Sequence, residues 1–499
     1  QVKSTTECKE NETLKIHFES ELQIGNGKLT IEFSGIIGDN VRGFYKTKCL
    51  NRNGPGYAAV TQFEAAYARQ AFPCFDEPSL KATFDIVIIA DKTKTVLSNM
   101  PLKTQSTVDA NKDKFVFERT PIMSTYLVAY VVGEFDYIEG SVKEANDVHS
   151  TAVRVYTPVG KSAMGQFALE ITLKVLTFYR KYFDLSYPLP KLDLIAIYDL
   201  EIESLVLIDP SNYSVQSKIK VALIVSHELA HQWFGNLVTM EWWTDLWLNE
   251  GFATWVEYLS VEHCVPEWGS WGYFIYDHLS RALDLDSLNS SHPIEVNVTR
   301  LAEINQIFDE ISYCKGASVI RMVNNFVGKD TFARGLQIYL KRFLYKNAST
   351  SDLWTEIGNA AGLDVKELMQ CWTKMKGYPL IEMKNSQGHT ILELTQHKFQ
   401  TLSDKKADDV QLWNIPITAC TRSSFPKVHA HTLMNSPSSE LDMGIIENTS
   451  DWILLNCDFI NYHRTKYSDE MFEEIVANLN TSFGSSLDRM GLLSDTFAL

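Results

Sequence analysis

The sequence lacks several features that would place it in a special class of protein. It has no long run of lysine and arginine, and its 46 basic residues against 62 acidic ones give a net charge of −16, which argues against nucleic acid and anionic membranes as partners. No apolar stretch approaches the roughly 18 residues of a membrane span, and "YLVAYVVG" from Tyr126 is short enough to be a buried strand. Glycine and proline are unexceptional, which excludes collagen-like and disordered classes.

The cysteines form no CxxC pair, and the chain begins without an initiator methionine or an apolar signal core. Eight cysteines spread over 499 residues are typical of free buried thiols, which favours a reducing compartment and a cytoplasmic location. From the opening "QVKSTTECKE" we expect the true start to lie upstream. Asn-x-Ser/Thr triplets at Asn11 and Asn297 keep a secreted or membrane-anchored parent open as an alternative.

Changes in hydrophobic period divide the chain. Its length predicts about three domains. Up to about Thr157 the pattern is strand-like, as in "TFDIVIIA" and "KFVFER". From Ser162 apolar residues recur at three- and four-residue steps, and this helical pattern continues to about Lys376.

After Gly377 the chain returns to short alternating runs such as "HTILELTQ", which predict a small β domain ending near Tyr462. The last segments, "DEMFEEIVANL" and "LDRMGLLSDTFAL", read as helices with too few residues to bury their apolar faces. We therefore expect the chain to stop just inside another domain.

The stretch "HELAHQWF" predicts a metal centre. His227 and His231 are four residues apart, so on a helix both can aim a ring nitrogen at one ion, with Glu228 beside them. A core helix with two hydrogen-bonded histidines is the alternative reading of this motif alone.

A carboxylate further along the chain strengthens the hypothesis of a metal site. Eighteen residues separate His231 from Glu250, which lies on a second predicted helix opened by Thr244 or Asp245 as N-cap. Two histidines and one carboxylate are the ligand set of an open catalytic zinc site. Large apolar residues surround Glu250 in "WLNEGFATW", and a carboxylate in such company needs a partner.

These motifs resemble the gluzincin metallopeptidases of the aminopeptidase N family. The likeness extends to "YAAVTQFEAAYARQAFPCFDEP", "RTPIMSTYLVAYVVGEFDY", "YPLPKLDLIAI", "SHPIEV", "ISYCKGASVIRM" and "WTKMKGYPLI", which are similar to the puromycin-sensitive branch, and it covers nearly the whole chain. The resemblance implies a multidomain α+β fold. Its parts are an N-terminal β saddle (1–157), a thermolysin-like, mainly helical catalytic domain (158–377), a β-sandwich (378–462) and the start of a truncated helical domain (463–499).

The predicted mechanism is hydrolysis by water that one bound Zn²⁺ activates. His227, His231 and Glu250 would hold the zinc, and Glu228 would act as general base and then general acid. The resemblance assigns stabilisation of the oxyanion to Tyr313, which otherwise is one of 21 tyrosines.

The resemblance also implies a substrate, a peptide with a free amino terminus. In "TQFE" it assigns Glu64 to the α-ammonium group and Gln62 to the pocket for the first side chain. The alternative is that both lie on the polar face of a half-exposed strand around Phe63.

The sequence departs from the family pattern in the loop that should pair with substrate. The family has Gly-Ala-Met-Glu-Asn there, but this chain reads "LIAIYDLEIESLVLIDPSNYS", without the glycine-alanine pair and with a shorter connection. Glu203 is the counterpart of the loop's glutamate, with Glu201 as a rival. The leading hypothesis is a zinc aminopeptidase. The altered loop and the early end motivate an alternative, an impaired or inactive peptide-binding relative.

Overall fold

A computed structural model describes residues 2–143, 150–197, 206–386, 390–400, 411–444 and 452–499. The chain forms two compact units, Gln1–Glu134 and Phe135–Leu499. The first boundary predicted from sequence lies at residue 157 instead, because the strands between 135 and 157 have the same hydrophobic pattern as those before them. In the structure these strands pair within the second unit. The four predicted domain ranges remain predictions.

The first unit is built from strands and three short 3-10 turns, as its alternating pattern predicts. Its nine strands are β1 (Val2–Cys8), β2 (Thr13–Phe18), β3 (Gly43–Asn51), β4 (Gly54–Gln62), β5 (Val87–Asp91), β6 (Thr95–Ser98), β7 (Leu102–Thr107), β8 (Lys112–Phe117) and β9 (Tyr130–Gly133). They form a β1-β2 hairpin, a four-stranded β3-β4-β9-β6 sheet and a three-stranded β5-β8-β7 sheet, all with antiparallel pairing.

The second unit opens with a crossover of strand, helix and strand. Strands β10 (Asp136–Val142) and β11 (Thr151–Thr157) are antiparallel, and β12 (Lys191–Ile195) lies parallel to β11. Helix α1 (Gln166–Phe183) connects β11 to β12 and buries the predicted apolar stripe, including Ile171 and Val175.

The helices of the second unit then follow one another with few strands between them. They are α2 (Val215–Ala230), α3 (Trp247–Cys264), α4 (Ser270–Phe274), α5 (Ser280–Asp286), α6 (Leu301–Ile304), α7 (Gly316–Val327), α8 (Lys329–Arg342), α9 (Thr350–Ala361) and α10 (Val365–Thr373). Two π-helical turns, Ile275–Leu279 and Ile311–Lys315, precede α5 and α7. The short strands β13 (Thr239–Met240) and β14 (Asn347–Ala348) pair in parallel.

A second β region begins at Pro379, the last residue of the predicted Gly-Tyr-Pro boundary. Its strands are β15 (Pro379–Ser386), β16 (Ile391–Lys398), β17 (Ile415–Thr421), β18 (Ala430–Met434), β19 (Ser438–Asp442), β20 (Ile453–Leu455) and β21 (Arg464–Tyr467). They form two sheets, β19-β16-β15-β21 and β18-β17-β20, whose apolar faces join the core of the helical region. The fold class predicted from sequence is confirmed: a β-rich start, a mainly helical region and further sheets.

The last helices, α11 (Asp469–Asn478) and α12 (Ser486–Ala498), bury more than the sequence analysis expects. Ile475 and Leu492 pack with Trp452 and Leu454 of the β region, so these two apolar faces do find a partner within the chain. Leu493 and Phe497 remain exposed.

The cysteine expectation needs one correction. Cys420 and Cys457, 37 residues apart, form a disulfide, while the remaining six cysteines are free thiols. Sequence spacing gives no signal for a pair so far apart, because the chain folds back between them. The cysteines therefore give no basis for choosing a compartment. In the described part of the chain, no helix combines the length and the apolar character needed to cross a membrane.

Candidate functional site

Helix α2 carries both histidines of the motif. It begins with a capping box in which the Ser214 hydroxyl accepts a hydrogen bond from the Ser217 amide at 3.0 Å and the Ser217 hydroxyl accepts one from the Ser214 amide at 3.2 Å. Most of its apolar residues, such as Val221, Val225 and Leu229, are buried, which fixes the orientation of the helix about its axis. His227 lies in the last turn and His231 is the C-cap, still with helical backbone angles.

Helix α3 brings a carboxylate to these two imidazoles. Glu250 lies in its first turn and is almost completely buried. Its Oε2 atom lies 3.4 Å from Nε2 of His227 and 3.4 Å from Nε2 of His231.

The three residues predicted as metal ligands are thus brought together, with their donor atoms within 4.8 Å of one another. Across the described ranges this is the sole group of three or more His, Cys, Asp or Glu side chains that converges in this way. Two imidazole nitrogens and a carboxylate oxygen fit a zinc ion, because they are the donor types that zinc takes at open sites.

The N-cap expectation for α3 is wrong. The residue that caps α3 is Leu246, without a side-chain hydrogen bond, and Thr244 and Asp245 lie in a preceding 3-10 turn. The Asp245 carboxylate instead accepts hydrogen bonds from the amide and the hydroxyl of Thr350, at 3.2 and 2.6 Å. The Asp245 side chain therefore makes a tertiary contact with Thr350 and does not form the helix cap that the local sequence alone would predict.

The outer nitrogen of each histidine also has an acceptor. His227 Nδ1 lies 2.8 Å from Oε2 of Glu257, and His231 Nδ1 lies 3.1 Å from the carbonyl oxygen of Phe234. Neutral imidazoles that donate Nδ1–H to these acceptors present an unprotonated Nε2 toward Glu250. Glu257 is not among the site residues predicted from sequence. Its signal was its position seven residues after Glu250, two turns along the same helix face.

The electrostatics of the cluster favour a bound cation. Burial lowers the pKa of both imidazoles, but the neighbouring carboxylates outweigh it and raise the pKa of His227 well above its usual range and that of His231 to about 9. Burial opposes ionisation of Glu250, yet the charge of His231 and the hydrogen bond to His227 hold its pKa below the usual range. A cation that binds at the two Nε2 atoms must therefore displace the protons that these raised pKa values keep on the imidazoles.

Glu228 projects from the exposed side of α2 beside both imidazoles. Its charge contributes to the raised pKa of His227 and of His231, which places the carboxylate within electrostatic range of the cluster. An accessible carboxylate beside a metal group can exchange protons with water, as a general base must.

Tyr313 lies against the same histidine. It belongs to the π-helical turn Ile311–Lys315, is half-buried, and its ring is nearly parallel to that of His227, with centroids 6.1 Å apart and an interplanar angle of 11°. The structure therefore brings Tyr313 to the His227 side of the cluster.

A contact between two glycines sets this arrangement. A Cβ atom on Gly251, the residue after Glu250, would lie 3.2 Å from the Cα atom of Gly316, three residues after Tyr313. Absence of a side chain at both positions lets α3 and the Tyr313 turn approach at backbone distance.

The remaining predicted residues belong elsewhere in the chain. Gln62 ends β4 in the first unit, and both Gln62 and Glu64 are half-buried beside the buried Phe63. Glu203 and its rival Glu201 lie outside the described residues.

Comparison with known proteins adds to this geometry. Residues 167–372 match the family model described as the peptidase family M1 domain, and residues 1–127 match the peptidase M1 N-terminal domain. Aminopeptidase M1-D of Oryza sativa subsp. japonica is 44% identical over 98% of the chain, and aminopeptidase M1 of Arabidopsis thaliana is 42% identical over 98%. The puromycin-sensitive aminopeptidase of Caenorhabditis elegans is 40% identical over 97%. The chain spans 57%, 57% and 52% of the lengths of these relatives.

Proposed function

The chain belongs to peptidase family M1, and we propose that it is a zinc-dependent aminopeptidase that removes the first residue from peptides with a free amino terminus. The names of its relatives support an aminopeptidase. The observation that carries the proposal is the convergence of two imidazole Nε2 atoms on the Glu250 carboxylate, with Glu228 beside them.

In this proposal His227, His231 and Glu250 hold one zinc ion. Zinc supplies a Lewis acid that polarises a carbonyl and lowers the pKa of water. The buried Glu257 and the Phe234 carbonyl keep the Nδ1 protons of the two histidines in place, so that the Nε2 lone pairs stay available.

Glu228 has the proton-transfer role. Its exposed carboxylate takes a proton from the attacking water and delivers it to the leaving amine, so that water adds across the first peptide bond and an amino acid and a shortened peptide leave. The Tyr313 hydroxyl donates a hydrogen bond to the oxyanion, for which its place beside His227 is suited.

The amino-terminal specificity is assigned to Gln62, Glu64 and Glu203. Glu64 pairs with the α-ammonium group of the substrate and Gln62 lines the pocket of the first side chain. Glu203 is proposed to complete the grip on the amine. These three roles follow from the family likeness at "TQFE" and in the altered loop.

The test is hydrolysis of a panel of aminoacyl-arylamides by protein whose zinc content has been quantified. Glu228→Gln is the blank, because the residue is proposed as a base and not a ligand and should leave zinc bound. Glu241→Gln, an exposed glutamate ahead of α3, is the matched control. We expect turnover in the wild type and in the control and none in the blank. Full zinc occupancy with no wild-type turnover above the blank would overturn the proposal and favour a non-catalytic peptide-binding relative.

A further inference from the structure

A lysine and an aspartate form an ion pair in the interior, two residues from Tyr313. The Nζ atom of Lys315 lies 2.8 Å from Oδ2 of Asp286, and neither side chain is accessible to solvent. Lys315 ends the same π-helical turn that holds Tyr313, and Asp286 ends α5. Neither residue belongs to the zinc group or to the proposed proton transfer.

The lysine ammonium uses its three donors within the protein. Besides Asp286 it donates to the carbonyl oxygens of Met375 and Gly377, at 3.1 and 3.3 Å. Both carbonyls lie in the segment between α10 and β15, which leads into the second β region. The Tyr313 turn is therefore tied to that segment.

The aspartate carboxylate is equally occupied. Its Oδ1 atom accepts hydrogen bonds from the Gly377 amide at 2.8 Å and from the Ser291 hydroxyl at 2.6 Å, and Oδ2 accepts one from the Tyr462 hydroxyl at 3.4 Å. Gly377 thus contacts both members of the pair, through its amide and its carbonyl.

Stability alone does not account for a pair in this position. Moving both charges out of water costs about as much free energy as their attraction returns, and well-packed apolar residues often replace such pairs without loss. What the pair does supply is a defined geometry. The three donors of the lysine and the two oxygens of the aspartate each have a fixed partner, so the segments that carry these partners can be arranged in only one way.

The opposite end of the Tyr313 turn is also held. Asp309 Oδ1 accepts hydrogen bonds from the amides of Ile311 and Ser312, at 3.0 and 3.3 Å, and its Oδ2 lies 2.8 Å from Nε2 of His292. The turn therefore runs between two anchored ends, with Tyr313 between them.

We propose that the buried Lys315–Asp286 pair is the positioning device for Tyr313, which it holds in register with His227 by fixing the end of the π-helical turn to the 375–377 segment. This inference rests on the proposed function, in which the Tyr313 hydroxyl acts on the oxyanion. It predicts that loss of the Lys315–Asp286 pair lowers turnover only when the Tyr313 hydroxyl is present.

The test uses the double variant Lys315→Met/Asp286→Asn, which leaves no buried charge without its counter-ion. We expect it to fold and retain zinc, with kcat lowered by about 10- to 100-fold and KM changed by less than about threefold, because misplacement of a catalytic group acts on the chemical step. In a Tyr313→Phe background the same double substitution should change kcat by less than about threefold. Equal losses in the two backgrounds, or an unchanged kcat, would overturn the inference.

Arg321→Met is the matched control. Arg321 is another buried cation, on α7, the helix that follows the Tyr313 turn, and it donates to the carbonyl oxygens of Phe459 and Asp458 at 2.8 and 3.1 Å. Its loss should lower stability and leave kcat within about threefold, since it does not hold the Tyr313 turn.

A measurement independent of activity separates this inference from the proposed function. With 3-fluorotyrosine at position 313, the wild type and Arg321→Met should give the same single ¹⁹F resonance, and the double variant a shifted or split one. An identical resonance in the double variant would overturn the positioning role even in a protein that turns over. A changed resonance in a protein without turnover would support the role and overturn the proposed function alone.

Discussion

The His227 imidazole and the Glu257 carboxylate meet at 2.8 Å inside the second unit, on the side of the ring away from Glu250. Both carboxylates come from α3, so one helix supplies a proposed zinc ligand and the group that orients another ligand. The ring of His227 is thus held from both of its nitrogens.

Glu257→Gln should weaken zinc binding by about 10- to 100-fold, because the outer partner of a ligating histidine sets its tautomer and basicity. Competition with a chromogenic chelator measures this. Glu262→Gln is the control: it lies on the same helix but accepts hydrogen bonds from Ser270, so its zinc affinity should match the wild type. Equal affinity in all three proteins would contradict the role of Glu257.

Gly251→Ala should destabilise the protein and reduce turnover together. The added Cβ would meet the Gly316 backbone and the Ser312 carbonyl at 3.2 Å, and forcing such an approach costs about 1–3 kcal/mol. Denaturation with urea gives the free energy of unfolding, and kcat reports the displacement of the Tyr313 turn. At Gly272 the nearest atom to a Cβ is 3.9 Å away, so Gly272→Ala should be neutral or slightly stabilising. Equal stability of the two variants would show that α3 can shift without cost.

Acid should destabilise the fold in part through His278. Burial lowers its pKa to about 4, from an ordinary value of 6.5, where it packs against Phe274 and lies 3.1 Å from the Tyr258 hydroxyl. Below pH 6.5 the imidazole is protonated in the unfolded chain, whereas in the folded protein it stays neutral down to about pH 4. The contribution of His278 to the free energy of unfolding is therefore complete above pH 6.5 and is lost as the pH falls, by up to about 3 kcal/mol.

His278→Gln removes this titration and keeps a polar partner for Tyr258. The free energy of unfolding of the variant, measured by urea denaturation at pH 7 and pH 4.5, should fall less than that of the wild type. Loss of zinc in acid affects both proteins, so it cancels in the comparison. Parallel pH profiles would mean that His278 is not the source of the difference.

Glu64→Gln should weaken the preference for free amino termini. Hydrogen bonds to charged groups contribute about 1.5–3 kcal/mol, so kcat/KM for a free peptide should fall by about 10- to 150-fold, with little change for the acetylated peptide. The measurement is kcat/KM for one peptide in both forms. Glu77→Gln, an exposed glutamate of the same unit, should behave as the wild type. An unchanged ratio of free to acetylated cleavage would remove Glu64 from the amine site.

The sequence predicts the local parts of this fold well. Hydrophobic spacing predicts the helix that contains Ile171 and Val175, and alternation predicts the strand of "HTILELTQ". Four-residue spacing puts His227 and His231 on one face, and the apolar surroundings of Glu250 mark it as a third candidate ligand. Only the family likeness brings in Tyr313.

Contacts between distant segments lie beyond such patterns. Nothing in the spacing of Asp286 and Lys315 marks them as partners, and Cys420 and Cys457 look like isolated thiols. Strand β12 is five residues long and follows a helix, so its period is too short to reveal its parallel pairing with β11.

The link between Asp245 and Thr350 has a consequence for the order of assembly. These residues, 105 apart in sequence, fasten the beginning of α3 to the beginning of α9, and the Trp247 indole donates to the same Thr350 hydroxyl at 2.9 Å. During synthesis, the segment that carries Glu250 leaves the ribosome about a hundred residues before its anchor. The contact that fixes the start of α3 can therefore form only after the region around residue 350 has been made.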